Sequence, residues 1–230
     1  MESNTVLVFG VICAFGFAVA LFVETSSWCV RARAKAGDQG LFNSRANIYL
    51  YGARAFLLAF VLSMSFLIDK KISGELVIFV VAAALSLALI FHILFKFSIE
   101  LNEKILNLIF KYLILKNYRG GRSVEDLSGT GLKKNTAVAT VILTFGVVSP
   151  FMIAQNYPDI RMTIAAFGQI VNAFGTILLL FKVDPIMYRG MDDGTLFSLV
   201  DSYVDGRIIG LVVSTIMAWA VFAAFNLSTI

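Results

Sequence analysis

From Val6 to Val23 the chain runs eighteen residues without a charge, and the run ends on a carboxylate, Glu24, followed seven residues later by Arg31. A helix that is apolar on every side has no place on the surface of a water-soluble domain. It does fit a bilayer, where about 20 mostly apolar residues cross about 30 Å of hydrocarbon. Glu24 and Arg31 are two helical turns apart and so lie on nearly one face of a continuous helix. Ionisable groups at membrane depth are costly enough to be functional candidates by default.

Five further segments have the same character. Spans are expected at 6–30, 47–68, 76–97, 136–155, 162–181 and 208–225, in one integral membrane domain covering residues 1–230. The composition agrees: 59% of residues are hydrophobic, with 21 Phe, three Pro and a mean hydropathy of +0.85, well beyond the roughly half-apolar balance of soluble domains. The fold class expected is all-α and polytopic, with six transmembrane helices. The first span is expected to be retained rather than cleaved, because its short leader carries Glu2 and no basic residue, and no A-x-A-like site follows. Cys13 and Cys29 would stand about 24 Å apart on one helix at about 1.5 Å per residue, too far to pair.

Between spans three and four, residues 99–116 place Leu101, Ile105, Leu108, Ile109 and Tyr112 at helical spacing, with Glu100, Glu103, Lys104, Asn107 and Lys111 on much of the other side. This predicts an amphipathic cytoplasmic helix along the inner membrane surface. The Gly- and Ser-rich stretch after it lacks the G-x-x-x-x-G-K-[ST] pattern of a phosphate-binding loop. No nucleotide, metal or other cofactor is expected.

Charge sets the orientation. With the N-terminus outside, the inner loops and helix ends hold 15 of the 19 Lys and Arg, among them Arg31, Arg33, Lys35 and Arg45, and the outer ones hold Lys70, Lys71 and Arg161. The positive-inside rule therefore predicts both termini outside. The net charge of +4 follows from this bias and from attraction to anionic membrane lipids, and calls for no nucleic acid.

The remaining charge, Arg54, falls inside span two, seven residues after Asn47. An Arg at mid-span costs at least about 2.5 kcal/mol and needs protein or water around it. The nearest carboxylate in sequence, Glu24 on the preceding antiparallel helix, is its expected partner. His92 is expected to snorkel to the interface, and Gln169 and Asn172 to hydrogen-bond between helices. Asp184-Pro185 is expected to end span five, because proline disfavours helix at the residue before it.

An acidic connection follows, with Asp192, Asp193, Asp201 and Asp205 ahead of Arg207. Clustered Asp suits Mg²⁺ and pyrophosphate, as in membrane enzymes acting on isoprenoid phosphates. The D-G-x-x-A-R spacing of CDP-alcohol phosphotransferases is missing, however, and no acid follows Arg207.

Glu24-Thr25 with Val30-Arg31, Asn47 with Arg54, Val183-Asp184-Pro185, Asp192-Asp193 and Gly206-Arg207-Ile208-Ile209-Gly210 together resemble, in order, the signatures of the Amj-type lipid II flippases, the bacterial alternate to MurJ. The likeness covers the first quarter and last fifth of the chain. It implies a six-span, non-enzymatic flippase of the bacterial plasma membrane, translocating an undecaprenyl-pyrophosphate-linked peptidoglycan precursor from inner to outer leaflet. Another undecaprenyl-linked glycan, such as an O-antigen unit, is the alternative cargo. Substrate-binding candidates are Glu24, Arg31, Asn47, Arg54, Asp184, Asp193 and Arg207, with Arg33, Arg45, Asp192 and Asp205 secondary. On this reading Arg54, Arg31 and Arg207 grip pyrophosphate through guanidinium forks, and Glu24 competes for Arg54.

Overall fold

The computed structural model describes residues 2–32, 34, 39–97, 129–154 and 157–228, and every regular element among them is helical. The expected amphipathic helix at 99–116, Arg33 and Lys35 lie outside the described residues. The helices are α1 (Glu2–Arg31), α2 (Gln39–Asp69), α3 (Gly74–Phe97), α4 (Gly129–Ala154), α5 (Arg161–Leu178), α6 (Asp184–Asp192) and α7 (Leu196–Ser228). A single 3₁₀ turn, Pro158–Ile160, leads into α5. Six helical stretches are long and apolar enough to cross a membrane, and each overlaps one of the six predicted spans.

The helices outrun the predicted spans at one end. α2 begins eight residues before Asn47, α4 seven before Thr136 and α7 twelve before Ile208. Hydropathy reports where hydrocarbon ends; a helix satisfies its own backbone and carries on into the polar zone.

Asp184-Pro185 does not end span five. Leu179–Val183 forms a π-turn and α6 continues directly from it, with Pro185 in its first turn. The wider turn accommodates proline: Asp184 N–H bonds back to Leu179 O, and the change in backbone path makes room for a ring that would otherwise crowd the carbonyl one turn back. The chain reverses only after Asp193, at Gly194, whose φ of +72° is a left-handed value that glycine adopts without strain.

Neighbours pack in the order α2, α1, α3, α7, α4, α5. This makes an open ring whose two end helices, α2 and α5, face each other without packing along their length. Small residues set the tight contacts. A Cβ on Gly206 would lie 2.6 Å from the Lys133 carbonyl oxygen, and one on Gly210 would lie 2.7 Å from that of Ala137 and 2.6 Å from Thr140 Cβ. The two glycines of the G-R-I-I-G segment therefore let α7 lie directly on the α4 backbone, and Thr144 and Ser214 hydrogen-bond across the same interface at 2.7 Å. α5 is seated on α4 in the same way through Gly146, Gly168 and Gly175. Gly16 admits the α2 backbone to α1, with Phe56 O 3.1 Å from where its Cβ would be.

Gly210→Ala should therefore lose about 1–3 kcal/mol, the cost of overpacking. Gly52→Ala, with nothing within 4 Å of the added methyl, should leave stability unchanged or raise it by up to about 1 kcal/mol through helix propensity. Thermal unfolding in detergent compares the two.

Candidate functional site

One segment of α1, Glu24 to Arg31, joins four helices. At the end of the bundle where α1 finishes and α2 begins, Glu24, Thr25 and Arg31 each reach a different neighbour, while Ser26 and Ser27 bond back to carbonyls of α1. Thr25 bonds His92 of α3, with Oγ1 2.8 Å from Nε2. His92 Nδ1 lies 2.8 Å from the Ala88 carbonyl oxygen; a carbonyl only accepts, so Nδ1 carries the proton and the Thr25 hydroxyl donates to Nε2 of the neutral ring. His92 is fully buried. It does not snorkel, because these two bonds meet its polar needs inside the bundle.

Arg31 turns toward α2. Its Nε donates to Asn43 Oδ1 at 2.9 Å, one Nη to Asn47 Oδ1 at 3.1 Å, and the other Nη to Ser27 Oγ at 3.1 Å. Its guanidinium also lies 4.5 Å from the Trp28 ring centre, a cation–π contact that suits a desolvated Arg. Trp28 packs edge-on against Tyr188 of α6 and Tyr203 of α7. Asp184 lies in the electrostatic field of Arg31, Arg207 and Glu24.

Glu24 pairs with Arg207 of α7, with Oε1 2.5 Å from Nη2. It does not pair with Arg54: the partner nearest in sequence loses to one 183 residues away, because α7 crosses beside the end of α1. Arg207 is 1% exposed, and its Nε and Nη1 are buried with no hydrogen-bond partner among the described residues. The ion pair is thus its main compensation.

Glu24 opens on its other side into a cavity of about 350 Å³. Phe17, Ala20 and Leu21 of α1, Leu50, Ala53, Arg54 and Leu57 of α2, Leu143, Thr144 and Val147 of α4, and Asn172, Thr176 and Leu179 line the rest of it. Arg54 is exposed, stands halfway along α2 and makes no ion pair among the described residues. Its guanidinium lies 5.5 Å from the Tyr51 ring centre. Arg207 neutralises Glu24 from behind, so Arg54 remains as uncompensated positive charge at the cavity wall. Asn172 contributes to that wall, and neither it nor Gln169 makes a side-chain hydrogen bond between helices among the described residues. Backbone contact through glycine already holds α5 to α4.

The three arginines expected to grip pyrophosphate therefore have different surroundings. Arg54 faces the cavity, whereas Arg31 and Arg207 are 3% and 1% exposed and act as internal ties. Asn47 accepts from Arg31. Asp205 is held by Lys96 and by Lys133, the latter at 3.0 Å, and so ties α7 to the end of α3 and the start of α4. Asp192 and Asp193 are exposed at the end of α6, and Arg45 is half-buried on α2. These acids do not converge, and among the described residues no three His, Cys, Asp or Glu side chains are grouped to hold a metal ion. Neither Cys13 nor Cys29 forms a disulfide among the described residues.

Compared with protein-family models, with curated proteins and with solved structures, the chain has no match.

Glu24→Ala should cost about 3–5 kcal/mol, the scale of leaving a buried charge without its partner. Arg207→Met should cost less, since the stranded carboxylate borders a cavity and can be hydrated. The double variant should be more stable than Glu24→Ala alone. Unfolding midpoints of the three variants in detergent measure this cycle.

Proposed function

We propose that this protein is a flippase carrying an undecaprenyl-pyrophosphate-linked peptidoglycan precursor, lipid II, from the inner to the outer leaflet of a bacterial plasma membrane. The observation that carries the reading is Arg54: an exposed guanidinium without an ion-pair partner among the described residues, set midway along a spanning helix and facing a cavity between helices. A charge at that depth is expensive unless it has water or an anion to meet. Guanidinium binds the oxygens of a pyrophosphate two at a time and needs no metal to do so. The mainly apolar lining of the cavity suits the isoprenoid carrier, while the sugar and peptide head, too polar for hydrocarbon, requires a route lined by protein.

The sequence resemblance supports the same cargo, and the excess of basic residues at the Arg31 end supports placing that end in the cytoplasm. Outward movement of two negative charges down an inside-negative potential would be favoured by roughly 4.6 kcal/mol per 100 mV. In this scheme Arg207 and Arg31 position the site: Arg207 holds Glu24 away from Arg54, and Arg31 fixes α2, which carries Arg54, against α1.

Expression should restore viability to cells depleted of their lipid II flippase and restore outer-leaflet lipid II in a leaflet-resolved assay. Arg54→Ala should lower transport at least about tenfold, the scale of one lost charged hydrogen bond of about 1.5–3 kcal/mol. Arg54→Lys should fall between, because it keeps the charge and loses the fork. Arg189→Lys, on the exposed face of α6, should be neutral. Wild-type transport by Arg54→Ala would refute the binding role, and failed rescue with normal expression would move the assignment to another undecaprenyl-linked glycan.

A further inference from the structure

A second cavity, of about 360 Å³, lies farther along the α2–α5 seam. α2 contributes Leu57, Val61, Ser65, Ile68 and Asp69 to it, and α5 contributes Arg161, Gln169 and Asn172. It shares Leu57, Val147 and Asn172 with the Arg54 cavity, so the two meet at a waist formed by those three side chains. Each cavity contains one arginine. From Arg54 to Asp69 along α2 is about 22 Å at about 1.5 Å per residue, most of the roughly 30 Å depth of hydrocarbon.

At the far end of the second cavity a contact crosses the seam: Arg161 Nη1 lies 3.4 Å from Asp69 Oδ1. This is a loose pair. Asp69 is largely exposed, and the Nε of Arg161 is buried with no hydrogen-bond partner among the described residues. A guanidinium that is about a third exposed and held by one loose contact has N–H donors left for a second anion. α2 and α5, which it ties, are the helices at the two ends of the open ring. α5 is locked to α4 by glycine contacts, in which a Cβ on Gly146 would lie 2.6 Å from Asn172 N; α2 packs chiefly on α1. Widening the waist requires the α1–α2 pair to part from the α4–α5 pair, which is opposed by the Phe60–Phe151 ring contact between α2 and α4 and, at the far end, by the Asp69–Arg161 ionic tie.

We propose that Arg161 forms a second anion station for a lipid-linked pyrophosphate, reached from Arg54 past Asn172 and latched by Asp69, which gives up Arg161 when the head group arrives. The seam faces the surrounding lipid, so an isoprenoid tail remains in the bilayer while its pyrophosphate moves between the arginines. The inference rests on the transport reading above and extends it.

The test uses the full-length protein with Cys13 and Cys29 replaced by Ala and a single cysteine at Asn172, in membrane vesicles of both orientations, labelled with a membrane-impermeant maleimide. With the latch intact, label should enter from the Arg31 end. With Asp69→Asn, an isosteric change at an exposed position, labelling from the Asp69 end should rise at least tenfold. Farnesyl pyrophosphate should slow that labelling, Arg161→Gln in the same background should abolish the protection, and inorganic pyrophosphate at equal concentration should protect little. Labelling from the Asp69 end that is unaffected by Asp69→Asn would overturn the latch. Protection that survives Arg161→Gln would overturn the station, and equal protection by inorganic pyrophosphate would overturn its assignment to a lipid. Because labelling is read without transport, the expected pattern in a protein that fails to move lipid II would refute the flippase reading alone.

Discussion

An arginine that is 1% exposed inside an apolar bundle persists only if a carboxylate reaches it, and in this protein that carboxylate comes from another helix. The Glu24–Arg207 pair joins α1 to α7. Desolvating both ions costs several kcal/mol each, and their attraction repays this only in close geometry, so the pair fixes the crossing of the two helices within narrow limits. The rest of the segment depends on that crossing. With Glu24 held against α7, Thr25 is placed for His92 on α3 and Arg31 for Asn43 and Asn47 on α2, while Trp28 closes the space between α6 and α7.

The same pair governs the electrostatics of the cavity. Because Arg207 satisfies Glu24 from the protein side, no acid in the described structure claims Arg54. A Glu24–Arg54 pair, which the antiparallel hairpin suggests, would have left a neutral wall and nothing for an anion to meet. The observed pairing instead stores the compensation out of reach of the cavity and presents a guanidinium within it. Glycine contacts complete the arrangement by fixing α5 on α4 and α7 on α4, so the loosely packed seam between α2 and α5 is where both cavities lie.

Much of this fold was legible in the chain. The six spans were readable because bilayer thickness imposes a length and an apolar composition that local sequence must meet. Their polar extensions were not, since helix continuing into water leaves no hydropathy signal. Asp184-Pro185 resembles a stop, and the π-turn at Leu179–Val183 that carries the chain past it has no signature in a string of Leu, Phe and Val. Glu24, Arg54, His92 and Asn172 stand out in the sequence by the cost of polarity within a span, but that cost does not say what each one meets: Glu24 meets Arg207 and His92 meets Thr25. In the sequence Arg161 stands out only as an outer basic residue and Asp69 not at all, because at span ends both look like ordinary interfacial charges; their contact is visible only in the structure.

Sequence by itself determined that this chain inserts in a membrane as six helices, and which residues are too expensive there to be incidental. Both follow from local transfer energies, which depend on a residue and its near neighbours along one helix. Only the tertiary structure decided that Glu24 belongs to Arg207, that Arg54 is left for the cavity, and that Asp69 meets Arg161 across an open seam. Those are pairings between helices, set by which faces glycine allows to approach, and the spacing of charges along a single helix carries no record of them.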